Sequence, residues 1–132
     1  MIDLQGAHPH AIDKVVVDEA PEGIAISPKG DLIAAILLNG SAGIAKDAWF
    51  ARPKGKIALF RVNGTKLTKA GEIMVGKLPE GAAFQPRRQI SLCRQLRRAR
   101  ARDPQGRRRQ VTDTHKNLKL PGAPASIRSS SE

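Results

Sequence analysis

The chain has 132 residues, a net charge of +11, one Cys, three Phe, one Trp and no Tyr. The length suits one domain, and a single Cys excludes an internal disulfide. The charge is local: residues 87–110 carry ten Arg and one Asp, a net +9, while the other 108 residues carry 13 Lys or Arg and 11 acids, a net +2. Most of the chain is therefore close to neutral, which weakens the indication of an anionic partner.

No apolar run reaches the length of a membrane span, and the first residues lack the basic and apolar regions of a signal peptide. We therefore predict no membrane span and no N-terminal export signal. We expect strand residues from the first positions, which suggests that the chain starts inside an element.

In chain order, short apolar and β-branched runs predict strands. They fall at 2–4, 11–17, 23–27, 32–38, 56–62 and 66–75. The run at 32–38 is apolar on both faces, so we expect it to be buried between two layers.

Two tight turns are predicted between these strands. Pro28 pre-sets φ and Gly30 supplies a left-handed residue in the turn at 27–31. Asn63-Gly64 is a strong signal for a type I′ hairpin. The loop 39–53 holds Trp49, which we expect to anchor the loop on the neighbouring surface rather than to contact a ligand.

A motif organises the whole chain. It reads Pro21-Glu22-Gly23-Ile24-Ala25-Ile26-Ser27-Pro28 and returns, at an offset of 58, as Pro79-Glu80-Gly81-Ala82-Ala83-Phe84-Gln85-Pro86. A weaker third copy follows as Pro124-Ala125-Ser126-Ile127. Periods of this length indicate a repeat architecture, and four antiparallel strands per repeat make a propeller blade.

The predicted fold is therefore all-β: a partial β-propeller with about one complete four-stranded blade and incomplete flanking blades. Residues 1–20 would end a preceding blade and 21–78 would form the complete blade. Residues 79–123 would form a disrupted blade, and 124–132 the first strand of the next blade with a tail.

The repeat is lost across residues 87–110 and resumes at Val111, at an offset of 44. Shifting permitted codons by one base gives Gly-Lys-Tyr-Leu-Tyr-Val-Gly-Asn-Phe over residues 88–96, with its Gly at the turn position of Gly30. The same shift permits Leu-Lys-Val-Asp-Gly-Asp-Lys over 104–110. We predict a blade disrupted by two compensating frame changes, with this middle segment helical or disordered.

The alternative takes the segment as a genuine nucleic-acid-binding element, because clustered Arg neutralises phosphates. Its candidate residues are Arg87, Arg88, Arg94, Arg97, Arg98, Arg100, Arg102, Arg107, Arg108 and Arg109.

The two motif copies, the Ser27–Gly30 turn and the hairpin around Asn63-Gly64 resemble the YVTN-type, lactonase-like seven-bladed β-propellers of bacteria. The shifted peptide contains Tyr-Val-Gly-Asn, close to that family's namesake motif. The resemblance covers residues 1–86 and 111–132. It implies a C-terminal piece of a longer, periplasmic or secreted parent, whose neighbouring blades would be its partners.

No carboxylate pair, Ser-His-Asp set or metal cluster is evident in the sequence. We therefore predict no catalytic residue, no metal site and no cofactor. His8 and His10 are expected in a solvated loop, and His115 in an exposed turn. Repetition of Glu22 and Glu80 argues for a structural role. The predicted structural residues are Pro21, Glu22, Gly23, Pro28, Gly30, Asn63, Gly64, Pro79, Glu80, Gly81 and Pro86.

The favoured function is a binding or scaffold role as a propeller fragment without catalysis of its own, from a disrupted gene. A second hypothesis is that the full-length parent hydrolyses lactones. The third is the Arg-mediated nucleic-acid-binding protein.

Overall fold

The computed structural model describes residues 1–42, 47–85, 89–93, 96–102, 110–118, 121 and 127, and from 89 to 118 it describes backbone alone. The described part is all-β and contains no helix, which confirms the predicted fold class. No helix there is long and apolar enough to cross a membrane.

Ten strands are present in this part of the chain. They are β1 (Ile2–Asp3), β2 (His10–Ala11), β3 (Pro21–Ile26), β4 (Leu32–Leu37), β5 (Lys56–Asn63), β6 (Lys66–Met74), β7 (Gly81–Phe84), β8 (Gln89–Cys93), β9 (Leu96–Arg102) and β10 (Gln110–Leu118). β1 and β2 form a small antiparallel pair.

The first large sheet is an antiparallel meander in the order β3-β4-β5-β6. Its central strands are apolar on both faces, so both faces need cover. Ala35 pairs with Ala58 at its centre, and Leu59 pairs with Gly71 further along. This four-stranded meander corresponds to the blade predicted within residues 21–78.

Different parts of the chain pack against the two faces of the first large sheet. One face packs with the second large sheet in a core cluster of Leu32, Ala34, Ile36, Ile57, Leu59, Val75, Ala82 and Phe84. The opposite face buries Ala35, Leu37, Ala58 and Phe60, against which Val15 and Val17 pack. The prediction that 32–38 is buried between two layers is confirmed.

The second large sheet has the order β7-β8-β9-β10, again antiparallel. Its first strand lies against β3 and its last strand lies against β6. Both sheets therefore run in the same direction, first strand beside first strand and last beside last, as in a partial propeller-like arrangement.

The fourth strands of the two sheets have the same length. β6 spans 66–74 and β10 spans 110–118, an offset of 44 at both ends. Each strand also has an irregularity that begins after an equivalent residue: one residue is unpaired after Lys69 in β6, and two are unpaired after Asp113 in β10. The two strands therefore occupy similar places in their sheets, although their irregularities differ in length.

The second strands are not equivalent. Ile26 pairs with Ile33 in the first sheet, whereas Phe84 pairs with Ile90 in the second, so the connecting segment is one residue shorter. A one-residue change of register moves every side chain to the opposite face of a strand. Residues of the second sheet are therefore equivalent to those of the first at the offset of 58 only as far as Phe84.

The expectation of a helical or disordered middle segment is wrong where the backbone is described. Gln89–Cys93 and Leu96–Arg102 are strands. In sequence, Ile90 and Leu92 alternate with polar residues, and this period of two favours a strand beside β7. The Arg content had obscured that alternation.

Three local predictions also need correction. Residues 12–17 are not a strand, because β-branched residues need a partner strand and Val15–Val17 lie across a sheet face instead. The second hairpin turns at Gly64 and Thr65, since Asn63 pairs with Lys66. Of these two turn residues, only Gly64 has positive φ, at 57°, which is the pattern of type II′ and not type I′.

Candidate functional site

The motif copies place their first residues at corresponding positions of the two sheets. Pro21, Glu22 and Gly23 lie in β3, while Pro79 and Glu80 directly precede β7, which begins at Gly81. A Cβ built at Gly23 would stand 3.4 Å from the carbonyl oxygen of Glu80. The two copies therefore meet where the sheets come together.

A groove runs along this junction, and we name it the first-strand groove. It has a volume of about 370 Å³ and is lined by Gly23, Ile24, Ala25, Ile26, Glu80, Gly81, Ala82, Ala83, Phe84 and Ile127. Residues 23–26 and 81–84 are repeat equivalents at the offset of 58. The repeat thus forms both walls from the same part of its motif.

The chemistry of the groove is simple. Among the described lining residues, Glu80 is the one with an ionisable side chain, and it is half-buried. The other described residues of the lining have aliphatic or aromatic side chains or none, so they contribute main-chain hydrogen-bonding groups alone. Ile24 and Ile26 stay 69% and 58% exposed. Polar groups nevertheless make up more of the groove's exposed lining than apolar groups do.

Within the described residues, no group of three or more His, Cys, Asp or Glu side chains could hold a metal ion. His8 and His10 are exposed in the N-terminal connection, where Nδ1 of His10 lies 3.3 Å from the carbonyl oxygen of His8. His115 lies in β10 rather than in a turn. His8 and His10 are thus exposed in one connection, and His115 belongs to a strand of the second sheet.

The first turn is stabilised by a buried hydroxyl. The Oγ of Ser27, whose residue is 3% exposed, accepts the N–H of Leu32 at 3.0 Å and donates to Oδ1 of Asp31 at 2.9 Å. Gly30 has φ of 70° and donates its N–H to the Ser27 carbonyl, as its position in a tight turn requires. Pro28 is exposed in the same turn. Gly30 thus closes this turn with its left-handed backbone, and Pro28 lies within the turn.

Sequence reasoning missed an ionic network on the first sheet. Lys56 contacts Asp18 and lies 3.3 Å from Glu72, and Lys69 lies 2.6 Å from Glu72. The hydrogen bond to Asp18 raises the pKa of Lys56 and lowers that of Asp18, while the hydrogen bond from Lys69 lowers the pKa of Glu72. No sequence spacing links residues 18 and 56, so only the packing of the N-terminal segment on the first sheet reveals this network.

A second missed contact joins the N-terminal segment to the last strand of the first sheet. The N–H of Leu67 donates to Oδ2 of Asp13 at 2.6 Å and lowers the pKa of that carboxyl. Asn39 and Leu38 donate their N–H groups to the carbonyls of Glu19 and Ala20. Residues 13–20 thus cross the sheet from its last strand toward its first.

Trp49 does not anchor its loop as predicted. It is 81% exposed, and its ring contacts only its neighbour Phe50 among the described aromatic rings, edge to face at 5.3 Å. The loop is instead held by Ser41, whose Oγ donates to the Leu38 carbonyl at 2.6 Å and accepts the N–H of Leu78 at 3.1 Å.

The Arg residues of the alternative hypothesis are only partly within the described chain. Four lie in β9, the third strand of the second sheet: Arg97, Arg98, Arg100 and Arg102. The others, together with Pro86, lie outside the described residues: Arg87, Arg88, Arg94, Arg107, Arg108 and Arg109. Of the third motif copy, Ile127 is the described member.

No protein-family model matches the chain, and neither a curated protein nor a solved structure does. The site therefore has to be interpreted from its own geometry.

Proposed function

We propose that this chain supplies two consecutive blades of a bacterial lactonase-like β-propeller, with a binding or scaffold role and no catalysis of its own. The observation that carries the proposal is the parallel stacking of two four-stranded meanders, β3 beside β7 and β6 beside β10. In repeat proteins, each unit buries its apolar face against the next. The shared core of Ile36, Leu59 and Phe84 is a contact of this kind.

The groove supports a binding role more than a catalytic one. A hydrolytic site needs a nucleophile or activated water with a positioned base. The part of the lining that the structure describes offers a single ionisable side chain, Glu80, among aliphatic and aromatic side chains and main chain. A groove wall whose polar groups are largely main chain can hold a ligand or a neighbouring strand without chemistry of its own.

We also propose that residues 87–110 derive from two compensating frame changes. The first strand of the second sheet ends at the repeat position, Phe84, and the fourth strand keeps both repeat bounds, whereas the connection to β8 is one residue shorter than its counterpart. A repeat that is in register at the first and fourth strands of a sheet but out of register between them is the outcome expected of two compensating frame changes.

The test is to sequence the gene across the codons for residues 80–115, together with the DNA upstream. We expect the shifted frame to encode Gly-Lys-Tyr-Leu-Tyr-Val-Gly-Asn and the upstream DNA to encode further Pro-Glu-Gly copies. An unrelated shifted frame and non-coding upstream DNA would overturn the proposal and favour the genuine Arg segment.

A protein-level test separates a scaffold from an enzyme. The frame-restored, full-length protein and the present chain are assayed side by side for lactone hydrolysis. We expect none from the present chain. Hydrolysis by the restored protein alone would assign catalysis to residues that the present chain lacks, in other blades or in the restored segment, and hydrolysis by the present chain would contradict the proposed role.

A further inference from the structure

Residues 13–17 occupy the sequence position of a fourth strand of the repeat. The run 15–17 stands at the offset of 58 from the run 73–75, which contains the end of β6. Pro21 and Pro79 follow the two runs at the same offset. The first and third residues of each run pack in a core cluster, the earlier run on one side of the first sheet and the later run on the other. Residues 13–17 are therefore the repeat equivalent of the strand that ends at Met74.

This segment has the side-chain pattern of a strand but no partner strand. Val15 and Val17 are half-buried on the sheet, whereas Val16 between them is 94% exposed. Alternation with a period of two is that of an extended strand. Within the described chain, no hydrogen bond joins the main-chain N–H or C=O groups of residues 15–17 to another residue. Such free main-chain groups are a template for pairing with another strand.

The sheet face beside the segment is apolar and only partly covered. The segment packs on a cluster that includes Ala35, which is 7% exposed. Ile24 of β3 pairs directly with Ala35 and so shares its face. On that face, however, Ile24 and Ile26 are still 69% and 58% exposed. A strand added beside residues 13–17 on the side of β3 would extend the apolar cover toward these two Ile side chains.

The repeat indicates which kind of strand fits there. In the first sheet, the partner of β6 is β5, and Ile57 pairs with Ile73. Val15 is the equivalent of Ile73, so a strand with the alternating apolar pattern of β5 matches its position.

One position has opposite charges in β6 and in the segment. Lys56 of β5 lies 3.3 Å from Glu72 of β6. At the offset of 58 from Glu72 the segment has Lys14, which is exposed and makes no ion pair within the described residues. An added strand with an acid at the place of Lys56 would complement Lys14, whereas a Lys at that place would oppose it.

We propose that residues 13–17 are an acceptor edge for one extended strand, and that its occupant is a segment of another polypeptide with the β5 pattern and an acid at its first position. Main-chain hydrogen bonds to residues 15–17 hold the strand, as in other cases of strand addition. Lys14 selects the acidic residue. This inference rests on the proposed blade arrangement and names the partner of its open edge.

The experiment uses the full chain and two labelled peptides of residues 56–63, followed by fluorescence anisotropy. The acidic peptide carries Lys56→Glu, and the basic peptide keeps Lys56. We expect saturable binding of both, with the acidic peptide about threefold tighter, as suits one exposed ion pair. Lys14→Glu should invert this preference. Lys29→Glu makes the same charge change at an exposed turn residue and should leave the preference unchanged.

Main-chain pairing is tested without any change to the protein. The N–H groups of alternate residues in a strand face opposite edges. One acidic peptide is therefore N-methylated at positions 57, 59 and 61, and another at 58, 60 and 62. We expect one of them to lose affinity at least ~10-fold and the other to bind as the unmethylated peptide does. Amide hydrogen exchange at residues 15–17 should slow in the unmethylated complex.

Equal affinities of the two methylated peptides, a charge preference that Lys14→Glu does not invert, or no binding at all would overturn the acceptor edge. Such a failure would leave the two-blade proposal to its own test, the DNA sequence. Conversely, peptide binding with no propeller repeats upstream would retain the acceptor edge and overturn the proposed parent.

Discussion

Ala20 and Leu78 share a left-handed backbone, with φ of 54° and 50°, although 58 residues separate them. Each directly precedes the Pro of a motif copy. A non-glycine residue in this region costs about 1–2 kcal/mol. That the same unfavourable conformation recurs at equivalent positions indicates that both copies turn into their sheets in the same way.

Ala20→Gly should therefore stabilise the chain. Removal of the Cβ relieves the strain of the left-handed backbone. The greater conformational entropy of Gly in the unfolded chain offsets about 0.5–1 kcal/mol of this gain in stability. We expect the free energy of unfolding in urea to rise by up to ~1 kcal/mol. The same substitution at Ala25, which lies in β3 without positive φ, should lower it instead. Equal effects at both sites would show that the backbone strain is absent.

Much of this fold could be predicted from local pattern. The apolar run around Ile36, the turn at Gly30 and the return of the motif at Pro79 each reflect short-range chemistry, and the structure has them where expected. The number of strands per sheet followed from the same spacing.

The rest depended on long-range contacts. Val15–Val17 has strand propensity but no partner strand, so tertiary packing decides its conformation. The middle segment was misjudged because the Arg content outweighed the alternation around Ile90. The groove and the Asp18–Lys56 contact join residues far apart in sequence, and no local pattern indicates either.

Phe84→Ala tests whether the two sheets share one core. Phe84 belongs to the second sheet, is 2% exposed and packs in the cluster that contains Ile36 and Leu59 of the first. Truncation of a buried Phe costs about 3–5 kcal/mol. We expect faster hydrogen exchange at amides of β4 and β5 as well as a lower urea midpoint. Ile26→Ala, at a residue 58% exposed, should change stability by less than ~0.5 kcal/mol.

If Phe84→Ala leaves exchange in β4 and β5 unchanged, the sheets unfold independently and the shared core does not couple them.

Gly55→Ala should destabilise the junction between the first sheet and the second motif copy. A Cβ at Gly55 would overlap the ring of buried Pro79, with Cγ at 2.5 Å, and would stand 3.0 Å from the Leu37 carbonyl oxygen. Overpacking of this kind costs about 1–3 kcal/mol. Gly23→Ala is the matched control, because its Cβ would make an ordinary 3.4 Å contact. Similar thermal midpoints for the two variants would contradict the close packing of Pro79 on Gly55.

The ionic network predicts how stability depends on pH. The folded-state pKa values of Asp13, Asp18 and Glu72 are lowered. Their stabilisation is therefore complete above the unfolded values of about 4 and is lost as pH falls through the lower folded values. Lys56 has a raised pKa, so its contribution is complete below about 10.4 and is lost as pH rises through the folded value.

The free energy of unfolding should accordingly be level between about pH 5 and pH 10 and fall at both ends. Lys56→Met should remove most of the alkaline fall, because the group that deprotonates there is gone. It should also reduce the acid fall, since Asp18 loses the partner that lowers its pKa. Lys29→Met, at an exposed turn residue, is the control and should reproduce the unchanged profile. Urea denaturation across the pH series measures both limbs, and superimposable curves for Lys56→Met and the unchanged chain would show that the Asp18–Lys56–Glu72 contacts contribute nothing to folding.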